Sequence, residues 1–281
     1  MNKILFQKNI LRLEISFKSY EELRSILSFY HLNNIYKINI PCKNSLRSDF
    51  LLNSIKISRE EFPNIDVIPH FSILHEFRRS RLKTINYLNQ FLNVVKHLGC
   101  NEVLLVSGSQ KRTTLDSVLA LNSFKDNPLF INSSFSIGVA FNPYLPCDMF
   151  EEEIIRLEKK IKSGIVRSIW IQFGTDITLL ERRLDILKRL ILSNNKTNSE
   201  SLDISLFGSI LVPSKQFLSR FKYRPWKGVY CSQKFLESVD FAYKLIKRLL
   251  ETYRLNKISP IIETNISNED QLNSLKRFIE F

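Results

Sequence analysis

Polar residues that could do chemistry recur in this sequence within, or directly after, short apolar runs. Glu14 lies inside LRLEIS, His70 follows VIP, and Gln172 follows SIWI. Carboxylate, imidazole and amide groups are side chains that proteins use to move protons and to orient polar substrates. A carboxylate inside a strand is costly to bury unless it is hydrogen-bonded or functional. Glu14 is therefore the first candidate catalytic residue.

Three further groups occupy the same kind of position, namely Ser107-Gly108-Ser109, Asn142 and Thr264-Asn265. Each candidate also has an ordinary structural explanation, since a Gly turn can simply connect a strand to a helix. Likewise, Glu14 could face outward and pair with a helix cation, and His70 could be a hydrogen-bonded core residue. The recurrence at six strand ends favours one shared site over six unrelated features.

The apolar runs are strand-sized and alternate with longer segments of helical spacing. Strands are predicted at Leu11–Ser16, Ile35–Ile40, Ile65–His70, Glu102–Ser107, Ser134–Ala140, Ser168–Gln172, Ile204–Leu211 and Ile258–Glu263. Helices are predicted at Tyr20–Phe29, Leu46–Glu61, Arg81–Leu98, Leu115–Lys125, Phe150–Lys162, Leu179–Leu192, Ser214–Phe221 and Leu236–Tyr253, with a terminal helix over 268–281. The periodicity thus predicts eight strands that alternate with helices.

This alternation predicts a parallel sheet, and a chain of 281 residues fits a single (β/α)8 TIM barrel that covers 1–281 as one domain. The polar run over 194–201 is too short for a domain linker. The terminal helix is expected to pack outside the barrel. Active sites of such barrels lie at the C-terminal ends of the strands, so the polar residues named above would meet there.

Composition excludes several classes of protein. A hydrophobic content of 44% with 11% aromatic residues excludes a disordered chain. The four cysteines are scattered without CxxC or histidine spacing, so reduced thiols are expected, with no disulfide framework and no metal site. The apolar runs are too short for a membrane span or a signal peptide. The sequence predicts a soluble cytoplasmic protein, although an organelle protein without its presequence would look the same.

The chain is basic, with 41 Lys and Arg against 28 Asp and Glu and a net charge of +13. Such a charge would attract a phosphate-rich ligand, a polyanionic tail or nucleic acid. The cations are spread along the chain, and the densest run, RRSRLK over 78–83, has no interleaved aromatic residues. A solvated basic surface is therefore favoured, and a nucleic-acid partner is not expected.

The order of these segments resembles the methylenetetrahydrofolate reductase family, whose members are FAD-containing (β/α)8 barrels. The resemblance extends over about 11–265 and is carried by LEISFKS, Pro69-His70, VLLVSGS, GVAFNP, LEKKIKSG, Gln172 with Asp176, FGSILVPSK and ETN. It implies a catalytic-type barrel that reduces 5,10-methylenetetrahydrofolate to 5-methyltetrahydrofolate with NADH or NADPH through FAD. A small folate is then the expected partner, and a homo-oligomer is compatible with this interpretation.

The resemblance also implies roles for individual residues. Glu14 would be the general acid that protonates the folate N10, and Gln172 and Thr264 would bind substrate. Lys159 and Lys160 would neutralise the FAD pyrophosphate. The flavin would be lined by His70, Gly108, Ser109, Ala140 and Asn142.

Three departures from the family pattern keep alternatives open. Ser109 stands where the family has an Asp, Lys18-Ser19 replaces a Pro-Pro pair, and NPYLPCD lacks the Glu and His expected there. One alternative is a non-catalytic barrel that has lost flavin chemistry and acts as a binding or assembly protein. A third hypothesis is a folate-dependent methyl-transfer enzyme without flavin.

Overall fold

The computed structural model describes residues 11–42, 48–108, 114–131, 133–197 and 203–279. Eight parallel strands form a closed barrel in chain order. The strands are β1 Arg12–Glu14, β2 Lys37–Ile40, β3 Asp66–Ser72, β4 Glu102–Val106, β5 Ser136–Phe141, β6 Val166–Ile171, β7 Ser205–Ile210 and β8 Ile258–Ile262. The prediction of a (β/α)8 barrel is confirmed.

Helices connect the strands and surround the barrel. Within the described residues they are α1 Tyr20–Leu32, α2 Ser48–Glu61, α3 Arg81–His97, α4 Ser117–Asn122, α5 Cys147–Ile161, α6 Ile177–Thr197, α7 Lys215–Tyr223, α8 Gln233–Glu237, α9 Val239–Leu255 and α10 Glu269–Ile279. The C-terminal helix α10 follows β8, as predicted. None of the helices in these ranges combines the length and the apolar character that a membrane crossing requires.

Serine and aspartate caps explain two differences from the predicted helices. The predicted helix Leu236–Tyr253 is divided at Ser238, whose Oγ accepts a hydrogen bond from the Phe241 N–H at 3.2 Å and so starts α9. The short helix α8 precedes it and was not predicted. The predicted helix Leu115–Lys125 begins later, at Ser117, because Asp116 accepts a hydrogen bond from the Leu119 N–H at 2.9 Å and caps α4.

The barrel has two apolar layers. The larger core lies between sheet and helices and includes Leu13 and Ile15, both fully buried. A smaller cluster fills the inside of the barrel and consists of Ile68, Leu104, Trp170 and Ile261. Because successive side chains of a strand point to opposite faces, the residues between outward-facing ones point into the barrel. This alternation decides which polar residues face the barrel interior.

The connection from β7 to β8 is long and contains a segment that returns to the ends of β5 and β6. We call residues 224–232 the crossover segment. The Asn142 Nδ2 donates to the Gly228 carbonyl at 2.9 Å, and the Thr175 N–H donates to the Tyr230 carbonyl at 3.0 Å. The Ser232 N–H donates to the Thr175 Oγ1 at 2.8 Å. The crossover segment is therefore tied to the C-terminal end of the barrel, which we call the mouth.

Candidate functional site at the barrel mouth

Glu14 is the last residue of β1 and points into the barrel at the mouth. Its neighbours Leu13 and Ile15 are fully buried against the helices, so the alternation of the strand turns Glu14 inward. Its register places it beside Asn39 of β2. Glu14 is partly exposed. The alternation of β1 thus favours the inward orientation of Glu14 over the outward one.

Gln172 directly follows β6 and lies at the same end of the barrel. Ile171 and Phe173 are fully buried in the outer core, while Trp170 belongs to the cluster inside the barrel, so Gln172 also faces inward. It is partly exposed, and its side chain makes no hydrogen bond with another residue of the described ranges. The strand ends on a glutamine because the amide faces the opening of the barrel, where a polar side chain stays in contact with solvent.

A second carboxylate at the mouth was not among the predicted site residues. Glu263 follows β8, and the register that pairs Leu13 with Ile262 places Glu263 next to Glu14. The Ser209 Oγ donates a hydrogen bond to the Glu263 Oε1 at 2.5 Å. The signal was present in the sequence, since Glu263 ends an apolar run just as Gln172 does.

A line of hydrogen-bonded side chains leads from the inside of the barrel to His70. Arg12 forms an ion pair with Asp66, and its Nη1 donates to the Asn39 Oδ1 at 3.2 Å. The Asn39 Nδ2 lies 2.9 Å from the His70 Nε2. Because arginine can only donate, the Asn39 oxygen faces Arg12 and its amide nitrogen donates to His70. The His70 Nε2 is therefore an acceptor, and the ring proton resides on Nδ1.

Nearer the base, which is the N-terminal end of the barrel, a second polar network surrounds Glu102. The Ser168 Oγ donates to its Oε1 at 2.6 Å, and the Trp170 Nε1 donates to the same oxygen at 3.2 Å. Burial raises the pKa of Glu102, and these two hydrogen bonds oppose the increase. Gly138 makes room for the network, because a Cβ there would lie 2.5 Å from both the Ser168 Oγ and the Trp170 Nε1.

The two lysines that the resemblance assigns to the FAD pyrophosphate differ in environment. Lys159 is exposed on α5, whereas Lys160 is buried between α5 and β5. The Lys160 Nζ donates to the Ala140 carbonyl at 3.3 Å, and burial lowers the pKa of this amine. Lys159 and Lys160 are therefore not directed together at one ligand.

Asn142 uses both ends of its amide within the protein. Its Nδ2 donates to the Gly228 carbonyl at 2.9 Å, and its Oδ1 accepts from the Tyr144 N–H at 3.0 Å. Asn142 thus anchors the crossover segment and starts the turn after β5. It lies at the mouth, and each polar atom of its side chain already has one partner within the protein.

The remaining predicted residues lie in the connections after β4 and β8. Gly108 has a φ of +89°, and a Cβ there would lie 2.4 Å from the Leu74 Cβ, so only glycine fits this turn. Ser109 lies outside the described residues. The Thr264 Oγ1 accepts a hydrogen bond from the Val212 N–H at 2.8 Å and so joins the ends of β7 and β8.

These contacts test whether FAD fits the residues that the resemblance assigns to it. Lys160, Asn142 and the His70 Nε2 are engaged within the protein, and the Gly108 turn is packed against Leu74. Among the described residues of this set, Lys159 alone presents a charged group to solvent. As they stand, the described residues do not form an open cradle for the FAD pyrophosphate.

A groove of about 750 Å³ lies outside the barrel, between α7 and the start of α9. Its walls are formed by Ser214, Lys215, Leu218, Ser219, Lys222, Tyr223, Leu236, Glu237, Ser238, Val239 and Asp240. The described ranges contain no cluster of three or more His, Cys, Asp or Glu that could hold a metal ion. The groove has no contact with Glu14 or Gln172, so we place the candidate catalytic site at the mouth.

Comparison with known proteins is informative at the level of the fold. No protein-family model and no curated protein matches the chain in sequence. An aldo-keto reductase from Klebsiella pneumoniae, solved with NADPH, superposes with a TM-score of 0.51 at 8% identity, over 97% of this chain and 86% of that one. The likeness is one of fold.

Two further solved structures superpose less well. A 2,3-dimethylmalate lyase of the PEP mutase/isocitrate lyase superfamily gives a TM-score of 0.47 at 9% identity, over 99% of this chain and 92% of that one. A 3-keto-L-gulonate-6-phosphate decarboxylase from Vibrio cholerae gives a TM-score of 0.43 at 10% identity, over 85% of this chain and 97% of that one. A fold by itself does not identify an activity, so the site must be argued from its own residues.

Proposed function

We propose that this barrel is an oxidoreductase of the methylenetetrahydrofolate reductase type, with a tetrahydrofolate as its substrate. The observation that carries the proposal is that Glu14 and Gln172, assigned to acid catalysis and substrate binding by the resemblance, both face the mouth of one barrel. The C-terminal ends of the strands are where barrel enzymes hold their catalytic groups.

The residues at the mouth suit the binding of a pterin. The Gln172 amide can both donate to and accept from the edge of such a ring, and no described residue competes for it. The resemblance assigns Glu14 as the proton donor to the folate N10, and its inward position at the mouth is compatible with this role. His70 accepts from Asn39 at Nε2 and thus keeps its ring in one orientation at the rim.

FAD, with NADH or NADPH as the electron donor, belongs to this proposal through the sequence resemblance. The described residues form no open cradle for the FAD pyrophosphate, so we assign no step to the flavin. The proposal requires that Lys160 and Asn142 exchange their internal partners, or that other residues bind the cofactor.

The second candidate is a barrel that has lost flavin chemistry and binds its ligand without turnover. The occupied donors favour it, above all Lys160, whose ammonium group is buried against the Ala140 carbonyl. Under this hypothesis Glu14 and Gln172 would still bind a polar ligand at the mouth.

A spectrum of the purified protein, followed by calorimetric titration with tetrahydrofolate, separates the two candidates. A yellow protein with the visible absorption of oxidised flavin, which also binds tetrahydrofolate, supports the oxidoreductase. A colourless protein that retains no FAD after the unbound cofactor is removed, yet binds tetrahydrofolate, supports the second candidate, a binding protein without flavin. Absence of both flavin and folate binding would reject both.

A further inference from the structure

The surface formed by α7 and the crossover segment has an unusual charge. From Lys215 to Leu236 the chain carries six cations and no Asp or Glu, whereas the whole chain has 28 acidic residues among 281. All six cations are exposed: Lys215, Arg220, Lys222, Arg224, Lys227 and Lys234. We call residues 215–234 the basic–aromatic surface.

Three aromatic side chains on this surface are exposed to solvent. Tyr223 is 85% exposed, Trp226 is 50% exposed and Tyr230 is 44% exposed. The first two lie between cations in the stretch KYRPWK over 222–227. The three rings are three and four residues apart, so neighbouring Cα atoms are at most about 11 and 14 Å apart. Rings and charges therefore alternate over a distance that a few nucleotides can span.

Two of these rings are held in place by other aromatic residues. Trp226 packs edge to face against Phe217, with ring centroids 5.4 Å apart, and against Phe221 at 6.2 Å. Tyr230 lies nearly parallel to Tyr144, with centroids 6.2 Å apart and an angle of 10° between the planes. These contacts fix the rings while about half of each remains exposed, so little conformational entropy is lost when a flat partner stacks on them.

We propose that the basic–aromatic surface binds single-stranded nucleic acid, a function separate from the proposed activity of the mouth. Proteins that bind single strands without sequence preference combine a positively charged path for the backbone with aromatic rings on which bases stack. Both elements are present in one exposed segment. The proposal replaces the expectation, drawn from sequence alone, that nucleic acid is not a partner.

The other dense run of cations, over 78–83, lacks this arrangement. Arg78 lies over the ring of Tyr87 at 4.1 Å, so this aromatic residue is engaged within the protein. Arg79, Arg81 and Lys83 are exposed without exposed aromatic neighbours in the run. This run offers positive charge alone and serves as a matched control.

Neighbouring groups limit the path of the strand. Glu237 and Asp240 form the wall of the groove opposite Lys215 and Lys222, and their charge repels phosphate. The strand is therefore expected to follow the crossover segment from Tyr223 toward Tyr230 and not to enter the groove. A lipid surface is a poorer partner, because two of the three rings, Trp226 and Tyr230, pack against other rings and are only about half exposed.

Fluorescence anisotropy with a labelled oligouridylate of about 12 nucleotides tests the proposal on the full chain. Tyr223→Ala should weaken binding at least about fivefold and leave thermal stability unchanged, because this side chain is 85% exposed. The triple variant Lys222→Gln/Arg224→Gln/Lys227→Gln should weaken binding and reduce the slope of log affinity against log salt by about 2. The control triple Arg79→Gln/Arg81→Gln/Lys83→Gln removes the same charge. It should change the affinity and the salt dependence of binding much less.

Several results would overturn the proposal. These are an oligonucleotide that does not bind, equal losses in the two triple variants, or full affinity in Tyr223→Ala. A duplex bound as tightly as the single strand would show that stacking is not used. Binding to phosphatidylserine vesicles, with no binding to the oligonucleotide, would identify the surface as a membrane contact instead.

Discussion

Toward the base of the barrel, Glu102 receives hydrogen bonds from Ser168 and Trp170, whereas at the mouth Gln172 makes none with another described side chain. Strand β6 contributes to both ends, with Ser168 and Trp170 lower down and Gln172 just beyond its last residue. The buried carboxylate of Glu102 is satisfied within the protein, while the amide of Gln172 retains contact with solvent. The polar side chains around Glu102 therefore serve stability, whereas the Gln172 amide is available to a ligand.

The largest expected effect concerns the ion pair inside the barrel. Asp66→Asn removes the charge that compensates Arg12, which is 4% exposed. We expect a loss of about 3 kcal/mol in the free energy of unfolding, at the lower end for a buried pair, because a part of Asp66 is solvated. Urea denaturation measures this loss. Glu61→Gln breaks the exposed ion pair with Arg24 and is the control, for which no resolvable change is expected. Equal losses of unfolding free energy in the two variants would mean that the buried pair contributes no more to stability than the exposed one.

The next effect compares a glutamate at each end of the barrel. If Glu14 is the proton donor, Glu14→Gln should slow NAD(P)H-dependent reduction of methylenetetrahydrofolate about 100-fold or more, with little change in stability. Glu102→Gln should leave turnover nearly unchanged, because Glu102 is bound to Ser168 and Trp170 away from the mouth. Steady-state kinetics of both variants check this. Normal turnover in Glu14→Gln would show that Glu14 is structural.

A third comparison uses Ser168 of β6 and Gln172, which lies four positions later and just beyond the strand. Gln172→Leu should lower tetrahydrofolate affinity by about tenfold and preserve or slightly raise the melting temperature. Ser168→Ala, by contrast, should cost about 1 to 2 kcal/mol of stability and keep folate affinity, since it removes a hydrogen bond to the buried Glu102. Calorimetric titration and thermal unfolding separate the two. A large loss of stability in Gln172→Leu would show that its amide supports the fold.

The smallest effect is a pH dependence. Burial raises the pKa of Glu102 above its ordinary value of 4.5, so the folded protein binds this proton more tightly than the unfolded chain. The stability that Glu102 contributes is fully present below this ordinary value and is lost as the pH rises through the raised pKa. The side chain in Glu102→Gln cannot ionise. In this variant the free energy of unfolding, measured over a pH series, should therefore lack the decrease with rising pH that Glu102 causes. Parallel curves for parent and variant would contradict the raised pKa.

Most of the fold could be predicted because its signals are local. Each strand is a short apolar run, and all eight predicted strands agree with the structure within two residues at each end. Two of the helix errors arose where one capping residue decided the result. Ser238 divides α8 from α9, and Asp116 delays the start of α4. A cap is one residue in an otherwise helical pattern, so periodicity alone does not reveal it.

The site was less predictable because its contacts join distant parts of the chain. Arg12 and Asp66 meet across 54 positions only because the barrel closes with this register. Glu14 and Gln172 were recognisable from their place in apolar runs. The partner of Lys160, in contrast, depends on the packing of α5 against β5. Sequence shows which residue is a lysine at the end of a helix, but tertiary packing decides whether its charge reaches solvent.

The crossover segment makes the resistance to mechanical unfolding differ between the early and the late strands. Its ties, from Asn142 to Gly228 and from Thr175 to Ser232, have both partners in the second half of the chain. The first strand, with three residues, is held by pairing to its two neighbours and by the ion pair of Arg12 with Asp66, and no loop crosses it among the described residues. Under a stretching force applied to the two ends, the barrel would open at β1, whereas β5 and β6 stay braced by the loop that crosses them. The early strands would thus unravel while the later ones still resist the load.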